Sequence, residues 1–143
     1  MKNSEYELLN KLYQNASMGI TALSTVIPKT ENTKLKSELE TQLKNYQQQS
    51  QQIKKKFSEL NAKPKDINPV GKISADASII MQTAMDNSAS HIAEMVIKGS
   101  NMGIIDINKK LNDIETDDAG ILAHAKEILK CEQQYIDKLK SYL

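Results

Sequence analysis

The sequence predicts an all-α chain, an up-down bundle of four long helices with a long crossover and an extra short helix before the third. Apolar residues recur at helical spacing along almost the whole chain, and strand-like alternation is missing. Aromatics make up 4% of residues and tryptophan is absent. The core must therefore be built from Leu, Ile, Met and Ala, a composition that suits packed helices better than sheets. Breaks fall at Pro28, at "NAKPKDINPVG" and at "ETDDAG", so two tight turns flank one long connection.

The first helix is expected to be capped by Ser4, with Glu7 at capping-box spacing. Its apolar face is Leu8, Leu9, Leu12, Ala16, Gly19, Ile20, Leu23, Val26 and Ile27, and Pro28 ends it. A second helix runs from about Thr33 to Leu60 on Leu35, Leu39, Leu43, Tyr46, Ser50, Ile53, Phe57 and Leu60. Within its "YQQQSQQ" only Tyr46, Gln49 and Ser50 turn inward on the wheel. An ordered crossover over 62–87 follows, with a short helix on Ile73, Ala77, Ile80 and Ala84. Ser88 or Ser90 caps the third long helix, which carries Ile92, Val96, Gly103, Ile107, Leu111 and Ile114. The fourth runs on Ile121, Ala125, Ile128, Leu129, Glu132, Ile136, Leu139 and Leu143.

At 143 residues the chain is one domain, residues 1–143. The formal net charge is +1 and all basic residues are lysines. That balance gives no bulk pull toward nucleic acid or anionic lipid, and lysine lacks arginine's bidentate fork for phosphate and guanine. The single cysteine, Cys131, excludes an internal disulfide framework and fits a reducing compartment. No stretch is apolar enough to span a bilayer. The expected location is cytoplasmic, with neither membrane nor nucleic acid as partner.

The two halves resemble each other. "ASMGITALSTVI" (16–27) aligns with "SNMGIIDINKKL" (100–111), so that Met18-Gly19-Ile20 matches Met102-Gly103-Ile104. "LKNYQQQ" (43–49) aligns with "LKCEQQY" (129–135). The simplest explanation is an internal repeat of helix pairs, 4–61 and 88–143. A mid-helix glycine costs about 1 kcal/mol relative to alanine. Gly19 and Gly103 at matching places, with Gly99 one turn from Gly103, are therefore read as sites of close helix packing.

Two helix pairs joined by a long crossover, with "YQNASMGITALS" (13–24) and a second helix ending in "LNAKP", resemble the ferritin-like superfamily, in particular bacterial ferritin-like bundles of uncharacterised function. The resemblance implies inward carboxylates and a Glu-x-x-His motif on the second and fourth helices. On the fourth helix that motif falls on Glu132 and Tyr135, and on the second on Tyr46 and Gln49. The first helix offers no acid on its apolar face, and Asp106 on the third lies about 100° off its face. A di-iron site takes four carboxylates and two imidazoles, so the ligands are largely lost and no cofactor is expected.

Glu132 and Tyr46 both fall near the centre of an apolar face, and a buried carboxyl needs partners or a proton. The expectation is a buried polar network of Glu132, Tyr46, Gln49 and Tyr135 in the layer where relatives hold metal. The alternative is a rotated fourth helix with Glu132 in solvent. His91 with Glu94, and His124 with Glu127, are weaker metal candidates, since exposed helical pairs are usually solvated. Lys54-Lys55-Lys56 reads as a solvated face.

The function expected is non-catalytic: a structural or protein-interaction module, self-associating as a dimer or meeting a protein partner. An off-core stripe of Met95, Met102 and Ile105 favours association. The alternatives are a divergent iron- or zinc-binding bundle and one that holds a small apolar ligand in its core.

Overall fold

The computed structural model describes residues 1–65 and 86–143. The short helix expected on Ile73, Ala77, Ile80 and Ala84, with Pro69 and Gly71, lies outside the described residues. Among the described residues there are four long helices: α1 (Asn3–Val26), α2 (Thr33–Glu59), α3 (Ala89–Asn112) and α4 (Ala119–Leu139). No strand occurs among the described residues.

Each helix begins where local chemistry satisfies its first amides. Asn32 Oδ1 accepts from Leu35 N at 3.0 Å, Ser88 Oγ from His91 N at 3.2 Å, and Asp118 Oδ1 from Gly120 N at 2.9 Å. The expected Ser4–Glu7 box does not form. The α1 cap is Lys2, whose amide donates to the Glu5 carboxylate at 3.2 Å, while Glu7 is engaged by the Lys65 ammonium. At its far end α1 tightens into a 3-10 turn, Ile27–Lys29, around Pro28. A second such turn, Lys140–Tyr142, closes α4 and leaves Leu143 exposed rather than in the core.

Two core clusters fix the directions. One joins the end of α1 (Leu23, Val26) to the start of α2 (Leu35, Leu39), the start of α3 (Ile92, Ala93) and the end of α4 (Leu139). The other joins the start of α1 (Leu8, Leu9) to the ends of α2 (Ile53, Phe57) and α3 (Ile107), and to the start of α4 (Ile121). Thus α1 and α4 run one way, and α2 and α3 the other. The end of α2 and the start of α3 therefore lie at opposite ends of the bundle.

Burial follows one register in both halves. Each buried residue of α3 sits 84 positions after a buried residue of α1: Leu8 and Ile92, Leu9 and Ala93, Ala16 and Ser100, Leu23 and Ile107. Each buried residue of α4 sits 86 positions after one of α2, from Leu35 and Ile121 through Tyr46 and Glu132 to Ile53 and Leu139. Heptad spacing alone aligns single positions. Here the doubled ones, Leu8-Leu9 with Ile92-Ala93 and Gln49-Ser50 with Tyr135-Ile136, fall in step as well.

Candidate functional site

Between the two clusters lies a polar layer to which α1, α2, α3 and α4 all contribute. Glu132 on α4 is 0% exposed, which excludes the reading that it reaches solvent. Its Oε1 accepts from the Tyr46 hydroxyl of α2 at 2.6 Å and from Asn15 Nδ2 of α1 at 3.1 Å. The 2.6 Å separation is typical of a hydroxyl donating to a carboxylate. Ser100 of α3, 4% exposed, presents its hydroxyl to the same pair.

Both glycines of the matched sequences make room for these donors. A methyl at Gly19 would meet the Tyr46 ring at 2.6 Å, and one at Gly103 would collide with the Asn15 carboxamide. What each glycine admits is a polar or aromatic side chain, not another backbone. Gly99 differs: it is exposed, and a methyl there meets nothing within 4 Å. Its expected part in close packing is wrong. Four residues of helix turn it about 40° further away from the buried face of Ile92, Ala93, Ser100 and Ile107.

Electrostatics follow from burial. Desolvation pushes the Glu132 carboxyl above its ordinary value, opposed by hydrogen bonds from Tyr46 and Asn15 and by the nearby Ser100 hydroxyl. Burial and the Glu132 charge push the Tyr46 phenol well upward. The upward shift of Tyr46 keeps the shared proton on the phenol. The upward shift of Glu132 favours a proton of its own on the carboxyl, whose Oε2 has no hydrogen-bond partner among the described residues.

The layer's membership differs from the one expected. Gln49 and Tyr135 are buried, yet Gln49 Oε1 finds no hydrogen-bond partner among the described residues and the Tyr135 hydroxyl faces Asn45 and Cys131 rather than the carboxyl. Tyr135 contributes its ring, packed edge-on against Tyr46 with centroids 5.6 Å apart. Burial raises its phenol too. Asn15 and Ser100, not Gln49 and Tyr135, complete the surroundings of the carboxyl. Gln42, also missed, is 1% exposed with both amide atoms unpartnered among the described residues.

The remaining candidates lie apart. His91 Nδ1 is 3.9 Å from the Asp86 carboxylate, whereas Glu94 turns to Lys98 at 3.1 Å. His124 is half-buried and Glu127 exposed, and the Glu127 carboxylate lies 3.8 Å from the Cys131 thiol. Burial, together with Glu127, raises that thiol's pKa, which disfavours the nucleophilic thiolate. The lysine run is not uniformly solvated. Lys56 pairs with Asp118 at 3.0 Å, tying α2 to the cap of α4, and Lys54 lies over the Tyr13 ring.

One carboxyl, one phenol and one amide can share and hold protons. A di-iron centre does not fit them. Among the described residues no three His, Cys, Asp or Glu side chains gather, and the Tyr46 ring occupies the space over Gly19. No helix among the described residues is long and apolar enough to cross a membrane. Compared with protein-family models, curated proteins and solved structures, the chain finds no significant match.

Proposed function

We propose that this chain is a non-catalytic bundle of ferritin-like topology. In it a buried Glu132–Tyr46–Asn15 knot takes the position where ferritin-like proteins hold metal. Its role on this reading is structural, as a self-associating or partner-binding module. The knot fixes the register of α1, α2 and α4, a use to which buried polar groups are sometimes put.

The observation that carries the reading is the 2.6 Å contact at a fully buried carboxyl whose partners are a phenol and an amide, not ligating groups. The ferritin-like topology is supported by α2 and α3 running in the same direction. Duplication of a helix pair is supported by the burial register shared between the halves. Self-association draws on the exposed side chains of Met18, Met102 and Ile105, which are 37%, 61% and 54% accessible. Met95 is half-buried and adds less to that surface than its wheel position implies.

Elemental analysis of protein purified without a histidine tag, run with a solution-mass measurement, tests the reading. The expected result is less than about 0.1 metal per chain in a particle of dimer mass. One or more equivalents of iron, manganese or zinc, lost on replacing Glu132, would overturn it in favour of the metal-binding alternative.

A further inference from the structure

A cleft of about 560 Å³ opens beside the last turn of α2, away from the polar layer. The apolar lining a ligand can reach is Tyr13, Ala62 and Pro64, each half-buried, whereas Phe57 beside them is 1% exposed and sits edge-on to Tyr6 at 5.9 Å between ring centroids. Its outer wall, residues 62–65, is tied down at three points. Ala62 N donates to Phe57 O at 2.9 Å, the Tyr6 hydroxyl to Lys63 O at 3.0 Å, and Lys65 N to Asn10 Oδ1 at 2.7 Å. Asn61, with φ 53°, turns the chain back to reach them. The cavity is thus held open by hydrogen bonds before any ligand arrives.

Three ammonium groups border it. Lys65 pairs with Glu7, Lys54 lies 5.8 Å over the Tyr13 ring, and Lys63 projects from the wall. Neither Lys54 nor Lys63 makes an ion pair with a carboxylate among the described residues. Like charges around one concavity repel, and its low-dielectric walls focus the resulting field. An anion would relieve the repulsion. The volume exceeds that of an inorganic ion and lies in the range of small organic ligands, about 300–1,000 Å³.

We propose that this cleft binds a small organic anion, a carboxylate or phosphate monoester carried on one flat apolar body. Lys54 and Lys63 hold the charge, and Tyr13, Ala62 and Pro64 receive the body, with the lysine over Tyr13 free to swing onto the head group. The site is independent of the Glu132 layer and stands or falls separately from it.

Amide chemical-shift titration with 1-naphthyl phosphate and 1-naphthoate tests the assignment, with neutral 1-naphthalenemethanol and inorganic phosphate as comparisons. Saturable shifts should centre on Tyr13 and residues 54–65 for both aromatic anions, and the tighter of the two identifies the head group. Both comparison compounds should bind at least about tenfold more weakly. Joint replacement Lys54→Gln with Lys63→Gln should weaken the aromatic anions by about tenfold or more, and added salt should do so progressively. Lys34→Gln with Lys44→Gln, on the far half of α2, should change nothing. All four lysines are exposed or solvent-facing, so the fold survives these changes. No saturable shift, binding of the neutral alcohol as tight as the anions, or undiminished affinity in the Lys54/Lys63 variant would each overturn the proposal.

Discussion

The phenol of Tyr46 and the carboxyl of Glu132, 86 positions apart in the chain, meet at 2.6 Å in the middle of the bundle, and both side chains are buried. Gly19 leaves the space in which the Tyr46 ring lies, and Gly103 leaves the space for Asn15, the other donor to that carboxyl. Two glycines and two donors thus converge on one acid.

Removing the acid strands its donors. Glu132→Ala leaves the Tyr46 hydroxyl and the Asn15 amide buried without an acceptor and opens a cavity. The expected loss is about 2–5 kcal/mol in urea unfolding. A change within about 0.5 kcal/mol would place Glu132 in contact with water.

The pH dependence has a definite sign. Burial raises the folded pKa of Glu132 above its unfolded value. Its favourable contribution is therefore fully present below the unfolded pKa, about 4.3, and declines as pH rises through the folded value. Glu5, Glu7 and Asp118 are shifted downward and act in the opposite direction, their contribution lost as pH falls. Subtracting Glu132→Gln from the native protein isolates the first effect. The stability difference should move against the native protein between pH 4.5 and 8, as read by urea midpoints at unchanged m-value. A difference flat with pH would show that the carboxyl titrates normally.

The glycines should respond in opposite ways. Gly19→Ala puts a methyl into the Tyr46 ring and is expected to cost about 1–3 kcal/mol. Gly99→Ala meets open space within a helix and should stabilise by about 0.5–1 kcal/mol. Thermal unfolding of the two variants side by side decides the point, and equal effects would contradict the placement of the Tyr46 ring.

Asp118 has two tasks, capping α4 through Gly120 and Ile121 and pairing with Lys56 of α2. Asp118→Ala should cost about 1–2 kcal/mol, most of it from the lost cap. Asp118→Asn, which keeps a capping oxygen, should recover most of that loss.

Helical periodicity makes the four elements legible, because each face repeats over many turns and a single odd residue does not disturb it. Pro28, Ser88 and the "YQQQSQQ" stretch carry enough local chemistry to place a boundary, a cap and an inward face. Periodicity also brings Glu132 and Tyr46 to face centres, since those angles depend on spacing alone. Hydrogen-bond partners depend on rotamers and on how helices cross, and spacing carries neither. For that reason Gln49 and Tyr135 read as partners, whereas Asn15, at the edge of its face, does not. Its one signal is Gly103, whose missing side chain is the space that Asn15 fills. Gly99 illustrates the converse: an i, i+4 glycine pair looks like one packing stripe, but the angle of about 40° between its members is enough to leave Gly99 in solvent. Lys54 and Lys56 look alike in sequence and separate only when α4 brings Asp118 to one of them.

A double-mutant cycle on Tyr46→Phe and Glu132→Gln, read by urea unfolding near neutral pH, tests the central pairing most directly. A coupling energy of about 1 kcal/mol or more is the result expected for a direct buried hydrogen bond. Additive effects of the two substitutions, with coupling indistinguishable from zero, would contradict it.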